Sequence, residues 1–305
     1  MESISKYREV SVMYVLDSVI LESKLVPVDI GKWQSYMPYH DKEQLDLQFN
    51  NIIRLPLFNA YGTIGFIYSK VIDSYEQYLE QKSKTISVED TEVVLETEVF
   101  YTSKIEGAKS SIKRTQQIHN GAIVKDFSDA MIKGNFEAVK LLNLYGNRIS
   151  KEILLKVWKV LTKDCLDNKE IVGECFRSGE VGISNSDFKA VDVKDIDKAV
   201  SLLIDFYEGD LLNNYPFLKA SIIHFVFETI HPFCDGNGRL GRLLVNNFLI
   251  KQGIESVRAV SFSLMIDKYR GLYDAAFVDG ENEYCDCTPF IEFMMEIMSK
   301  AFSEI

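Results

Sequence analysis

The chain has 305 residues, room for about two domains of ordinary size or for one large buried core. Its 47% apolar and 26% charged residues match a globular average and exclude disordered and fibrous classes. Thirty-four basic against forty-five acidic side chains give a net charge of −11, the wrong sign for tight duplex nucleic-acid binding. A local basic pocket for a single nucleotide is compatible with that charge. Five cysteines (Cys165, Cys175, Cys234, Cys285, Cys287) are an odd number with no C-x-x-C pair, which points to a reducing compartment. Cys285-Asp-Cys287 has no histidine or third thiol near it in sequence to complete a metal site. The start, MESISKYREV, lacks a basic-then-apolar signal, and no stretch approaches about 18 uninterrupted apolar residues. A soluble cytoplasmic chain with no membrane contact is expected.

Most segments read as helix. In residues 64–81, Ile64, Ile67, Val71, Ile72, Tyr75 and Leu79 fall on one stripe of helical period. Polarity rises over 82–87 (QKSKTIS), a soft boundary after which a new helix is expected, with Ser87 and Asp90 in the place of a capping box. Gly107 is placed to end that helix in a left-handed turn. Further helices are expected over 127–146, after the cap residue Ser150, over 195–207 and from Pro289 onward. One stretch reads as a hairpin, VGIS-NSD-FKAV at 181–191, with two short extended arms around a polar turn. The chain is therefore expected to be mainly α with one β-hairpin.

The informative stretch is YPFLKASIIHFVFETIHPFCDGNGRLGRLLVNNFLI, residues 215–250. Pro216 suits a first helical turn, where its missing N–H costs nothing. Leu218, Ile222, Phe225, Val226 and Ile230 recur at helical spacing, and Pro232 disfavours helical geometry at His231, so the helix should stop there. A second helix is expected from about Gly238 to Ile250. The loop between them puts backbone N–H groups at a helix N-terminus beside two glycines that allow close approach, which makes an anion site. Arg239 and Arg242, three apart, add guanidinium forks suited to phosphate oxygens. Asp235 offers a hard oxygen, and a carboxylate with phosphates and water is a common way to hold Mg²⁺. His231 can accept a proton from an attacking hydroxyl. Together these residues describe phosphoryl-group transfer from a nucleotide. Gly236-Asn-Gly238-Arg-Leu-Gly241 also fits G-x-G-x-x-G, but that motif needs a preceding strand and alternating βαβ units, and here a helix precedes it.

HPFCDGNGRLGR matches the Fic signature H-P-F-x-D/E-G-N-G-R-x-x-R at all nine specified positions. The resemblance extends over roughly residues 87–300 and takes in Asn135 with its helix, GECFRSGEVGI, IDKYRGLYDAAF and DCTPFIEFMM. It implies a Fic-type helical bundle core with one β-hairpin flap and an N-terminal helical extension, residues 1–86 being unassigned and 87–305 the Fic domain. It implies transfer of AMP from ATP to a Tyr, Thr or Ser hydroxyl of a target protein, with release of pyrophosphate and with Mg²⁺ as cofactor. In that frame His231 is the general base in a catalytic loop spanning 231–242, and Asp235 holds Mg²⁺. ATP lies against Gly236, Asn237, Gly238, Arg239, Leu240, Gly241 and Arg242, with Tyr273 lining the adenine pocket. Val181, Gly182 and Ile183 belong to the flap, which pins the target by strand pairing. A homodimer is among the arrangements that the resemblance allows.

Upstream, Thr102-Ser-Lys-Ile-Glu106-Gly107 fits S/T-x-x-x-E-G/N, the inhibitory-helix motif in its N-terminal (class II) placement, about 87–107. Glu106 falls in the last turn of its expected helix, where a negative charge opposes the macrodipole by about 0.3–1 kcal/mol unless a cation compensates. Arg242 is the expected cation, and the pair would hold back reaction with ATP. Alternatives remain at this level. The same site could remove AMP, transfer another phosphate-containing group, or bind ATP without catalysis. A γ-phosphate kinase of the Doc kind usually departs from GNGR, which is complete here. His224 and Glu228, one helical turn apart, could join His231 in a metal site or be packed core residues. Tyr273 could be ordinary core packing, Asp235 a helix cap, Glu106 a solvated charge and Cys234 a small filler.

Overall fold

The structure, a computed structural model, describes residues 52–88, 91–166, 176–181, 189–281 and 286–304. Ile52–Phe58 (β1) and Thr63–Ile67 (β2) pair as an antiparallel hairpin, with a register irregularity between Arg54 and Phe58. Pro56 lies inside that interval and has no N–H to give to the ladder. The helix expected over 64–81 thus begins only at Lys70. Its start is set by Ser69, whose hydroxyl accepts from the Ile72 amide at 3.2 Å. Ile64 and Phe66 alternate with Gly65 along β2, and both are buried, so this apolar segment has a second solution as a strand.

Among the described residues, eleven α-helices follow. Lys70–Ser83 (α1), Thr91–Ile105 (α2), Ile112–His119 (α3), Phe127–Leu144 (α4) and Lys151–Leu161 (α5) precede the flap region. Ile196–Glu208 (α6), Pro216–Ile230 (α7) and Asn237–Lys251 (α8) come next, then Phe262–Lys268 (α9), Arg270–Gly280 (α10) and Thr288–Ser303 (α11). Ser150 caps α5 through its hydroxyl, 3.2 Å from the Ile153 amide, as its sequence position suggests. The boundaries of α4, α6 and α11 fall within two residues of expectation, where helix ends fray. The Ser87–Asp90 box reaches residues 89 and 90, which lie outside the described residues. So do residues 182–188 of the expected hairpin, with Gly182 and Ile183 among them.

Helix α7 is apolar nearly all round and every one of its residues except Glu228 is buried, which is what a helix at the centre of a core requires. It packs against α8, α11, α6 and α1. One continuous core runs from Leu55, Ile64 and Phe66 of the hairpin through Ile72 and Leu79 of α1 to Phe302 of α11. The elements on the two sides of the soft boundary near 82–87 therefore share a core. A smaller cluster of Val99, Ile118, Ile132 and Phe136 ties α2, α3 and α4 together. No helix among the described residues is long and apolar enough to cross a membrane.

Candidate active site

The junction of α7 and α8 is built by local rules. Pro216 occupies the first turn of α7, and the helix ends at Ile230, one residue before the His231-Pro232 pair. His231 sits in the left-handed region at φ 49° and ψ 59°, a costly conformation for a residue with a Cβ, held because its amide still donates to Phe227 O at 3.0 Å. Its Nδ1 lies 3.3 Å from Glu228 O. A carbonyl only accepts, so that contact puts the proton on Nδ1 and leaves the lone pair on Nε2. Burial pushes the imidazole pKa down to about 4, which keeps the ring neutral at physiological pH.

The loop is held by its own side chains. Asn237 spans it twice, accepting from Phe233 N at 3.0 Å and donating to Phe233 O at 2.8 Å. The Phe233 ring stacks on Trp158 with centroids 4.7 Å apart, and Trp158 Nε1 donates to Asp235 O at 2.8 Å. Gly236, at φ 79°, is the N-cap of α8; a Cβ there would meet Thr162 at 2.8 Å, so both conformation and space call for glycine. The Asp235 residue is exposed at the loop's outer edge. Gly238 lies in the first turn of α8, and its bare Cα faces the Glu106 carboxylate and, at 3.2 Å from an added Cβ, Arg242 Nη1.

Glu106 reaches this point from the end of α2. The helix closes in a Schellman turn, Ala108 N to Ser103 O at 3.0 Å and Gly107 N to Lys104 O at 2.9 Å, with Gly107 at φ 89°. Glu106 Oε1 accepts from Arg242 Nη2 at 2.6 Å, and Arg242 Nε donates to Thr102 Oγ1 at 2.9 Å. Thr102 and Glu106 therefore hold one guanidinium between them. Burial raises the Glu106 pKa, but the Arg242 charge and hydrogen bond outweigh it and the carboxyl stays below its usual range. Burial lowers the Arg242 pKa, and the Glu106 charge more than reverses that. A carboxylate thus rests beside the first turn of α8, where the positive helix end favours an anion.

Not every residue singled out by sequence faces the loop. Arg239 is 1% exposed and donates to Leu161 O at 3.2 Å and Cys165 Sγ at 3.5 Å, under the loop and beside Gly236. Leu240 is fully buried in the core. Gly241 faces inward, where an added Cβ would collide with Glu228 Oε1 and meet His224 Nδ1 at 3.0 Å. Tyr273 is 5% exposed, with its hydroxyl 2.9 Å from His224 Nε2. The buried His224 and Tyr273 and the partly buried Glu228 form a polar layer beneath Arg242. Burial pushes Glu228 up to about 8 and His224 down to about 3, so both are neutral near pH 7. Val181 is half-buried and outside regular structure.

Several positioning residues act through partners that no motif names, Asn135 and Arg177 lying in stretches that the resemblance takes in without a role. Arg177, 8% exposed, donates from Nε to His231 O at 2.7 Å, from Nη1 to Gly179 O at 2.9 Å and from Nη2 to Val191 O. One guanidinium joins the left-handed histidine to both roots of the segment expected to be the flap. Asn135 Nδ2 donates to Ser103 Oγ at 2.8 Å, Glu98 accepts from Ser261 and Ser263, and Arg270 Nη1 caps Ile105 O at 2.9 Å. These contacts fasten α2 to α4, α9 and α10.

Residues 148–249 match the family model described as Fic/DOC family. The chain is 35% identical over 82 residues to a probable protein adenylyltransferase of Aquifex aeolicus, covering 25% of this chain and 26% of that protein. It is 26% identical over 240 residues to the protein adenylyltransferase Fic of Aedes aegypti, covering 73% of this chain and 45% of that protein. These matches span less than half the length of either relative. In structure it resembles a Fic family protein from Desulfovibrio desulfuricans G20, with a TM-score of 0.67 at 21% identity over 78% of this chain and 75% of that one. The signature loop lies inside the matched residues and the fold around it is that of Fic-family structures, so residues 148–249 carry a Fic/DOC-type domain.

Proposed function

We propose that the chain is a protein adenylyltransferase that moves AMP from ATP to a hydroxyl side chain of a target protein and is restrained by its own Glu106. The observation that carries the proposal is the Glu106–Arg242 ion pair at 2.6 Å, set against the first turn of α8 and the bare face of Gly238. A resting carboxylate there is the chemistry of an anion site, which fits the triphosphate of ATP. The exposed Asp235 carboxylate beside that site fits Mg²⁺ as well, since the ion prefers a carboxylate, phosphates and water. Bound Mg²⁺ would offset phosphate charge. The relatives named as protein adenylyltransferases support the same chemistry. The catalytic loop and its restraint would lie within residues 87–305, with 1–86 an extension whose β1, β2 and α1 complete the same core.

In the forward reaction the target hydroxyl oxygen bonds to the α-phosphorus, the bond to the β,γ-pyrophosphate breaks, and pyrophosphate leaves. His231 Nε2 takes the hydroxyl proton. Arg242 can hold the β/γ end of the nucleotide only after Glu106 leaves, because the Glu106 carboxylate occupies the anion position between Gly238 and Arg242 and would repel a phosphate there. Loss of Glu106 should therefore raise activity, and loss of His231 should abolish it.

The test pairs wild-type and Glu106→Gly protein with Mg²⁺ and ATP labelled at the α- or the γ-phosphate, in the presence of a soluble lysate as a source of targets. Protein-bound α-label, stronger in Glu106→Gly and about 100- to 10,000-fold weaker when His231→Ala is added, is the expected result. Label from γ-ATP above that of lysate alone, and lost in His231→Ala, would make the protein a kinase. Equal α-labelling by wild type and Glu106→Gly would remove the restraint from the proposal.

A further inference from the structure

At the end of α2 far from Glu106, a second constellation is unused by this chemistry. Glu92 and Glu96 stand one turn apart on α2, and His119 ends α3; their ligand atoms all lie within 4.8 Å of one another. His119 Nδ1 is 3.0 Å from Glu96 Oε1 and 3.7 Å from Glu92 Oε1. Oxygen and nitrogen ligands at about 2.0–2.2 Å from a tetrahedral Zn²⁺ are roughly 3.4 Å apart, and the two measured separations bracket that spacing.

Two further features separate this cluster from a patch of surface acids. Glu96 has a side chain only 6% exposed, and its partner among the described residues is the same imidazole, so a buried carboxylate is aimed into the cluster with no fixed cation beyond it. Stacking on Phe136, with centroids 4.3 Å apart and planes at 6°, favours this orientation of the imidazole. Glu92, 70% exposed, closes the set from the solvent side. Glu92 and His119 also line a cavity of about 330 Å³, which leaves room for water as a fourth ligand. An imidazole with two carboxylates suits zinc, cobalt or nickel better than Mg²⁺, which favours oxygen donors alone.

We propose that Glu92, Glu96 and His119 bind a divalent transition-metal ion of the zinc class, lacing α2 to α3. Glu106 lies at the end of that same helix. If it restrains the enzyme as proposed above, the ion would steady the restrained position; that consequence rests on the earlier proposal, whereas metal binding itself does not.

The full chain, stripped with a chelator, would be dialysed against Zn²⁺ in excess Mg²⁺ and its zinc measured. About one tightly held ion per chain is expected, with affinity at least tenfold weaker in His119→Ala and in Glu92→Gln. Glu92→Gln keeps the test valid if loss of the stacked ring disturbs folding, since that side chain is mostly in water. Zn²⁺ should raise the Tm of the wild type and leave that of Glu92→Gln unchanged. Co²⁺ should give visible bands of a tetrahedral site without a thiolate charge-transfer band. No zinc uptake, equal uptake by wild type and Glu92→Gln, or a thiolate band would each overturn the proposal. None of these readouts depends on transferase activity, so they stand or fall separately from it.

Discussion

His231 is the residue where conformation and chemistry meet. Its left-handed backbone turns the chain out of α7 while the Nδ1 contact to Glu228 O orients the ring. Burial is the main cause of a pKa near 4, with the Arg177 charge acting in the same direction. A base so depressed is neutral across the physiological range. For Glu106→Gly protein, kcat/KM should therefore fall only as pH drops toward about 4, with no step near 6.5. The sign follows from the base role, since protonation removes the lone pair and lower pH must reduce the rate. An inflection between pH 6 and 7 that His231→Ala removes would show that the imidazole titrates as an ordinary histidine. Glycine matters at two neighbouring positions for different reasons. Gly236 supplies a positive φ, whereas Gly238 supplies room for the Glu106 carboxylate.

At the scale of elements, α7 shows how a helix end can be completed from far away. Its N-cap, Tyr215, makes no side-chain cap bond. The orphan amides of Phe217 and Leu218 are met by Glu76 of α1, at 3.0 and 2.7 Å. Glu76 is 3% exposed, and burial pushes its pKa up to about 8 against the pull of those two amides. Glu76→Ala should cost about 1–3 kcal/mol in urea unfolding, because two buried donors lose their acceptor. A raised folded pKa contributes most below the unfolded value and fades as pH rises through about 8, so the cost should be larger at pH 5 than at pH 8. An unchanged midpoint at pH 5 would mean that water replaces the carboxyl. The hairpin of β1 and β2 illustrates the opposite limit of local rules. Ile64 with Ile67 fits a helical stripe while Ile64 with Phe66 fits a strand face, and Ser69 decides where the helix begins.

Across the whole molecule, Arg177 does what no single element can. It gathers carbonyls of Gly179, Val191, Ile230 and His231, which come from both sides of residues 182–188 and from the end of α7. Arg177→Ala would strand those carbonyls, and a loss of about 1–3 kcal/mol in stability is expected. Activity of the Glu106→Gly background should fall by more than that stability loss explains at temperatures where the protein is fully folded, measured as kcat. Full kcat in a folded Arg177→Ala variant would show that His231 holds its place without the clamp. Helix α2 is bound in a comparable way, by Asn135 of α4, Ser263 of α9 and Arg270 of α10. The Glu106–Arg242 pair is therefore one contact in a fastened helix, and release requires more than breaking a single ion pair.

How much of this was legible depends on how far apart the deciding residues are. The loop 231–242, its flanking helices, the stop before Pro232 and the left-handed Gly107 are all written within a few residues of where they act. Proline's fixed φ, glycine's freedom and unpaired helix amides are properties of the local chain. Glu106 was named by its motif, and its ordinary helical spacing says nothing of distance to Arg242. The Glu76 cap, the Arg177 clamp, the inward turn of Arg239, and the meeting of Glu92, Glu96 and His119 each join segments that only packing brings together. The sequence alone determined the chemistry on offer at the loop, because that chemistry needs only neighbours in the chain. The tertiary structure alone decided which charges face one another, because burial and proximity across distant segments exist only once the core around α7 has formed.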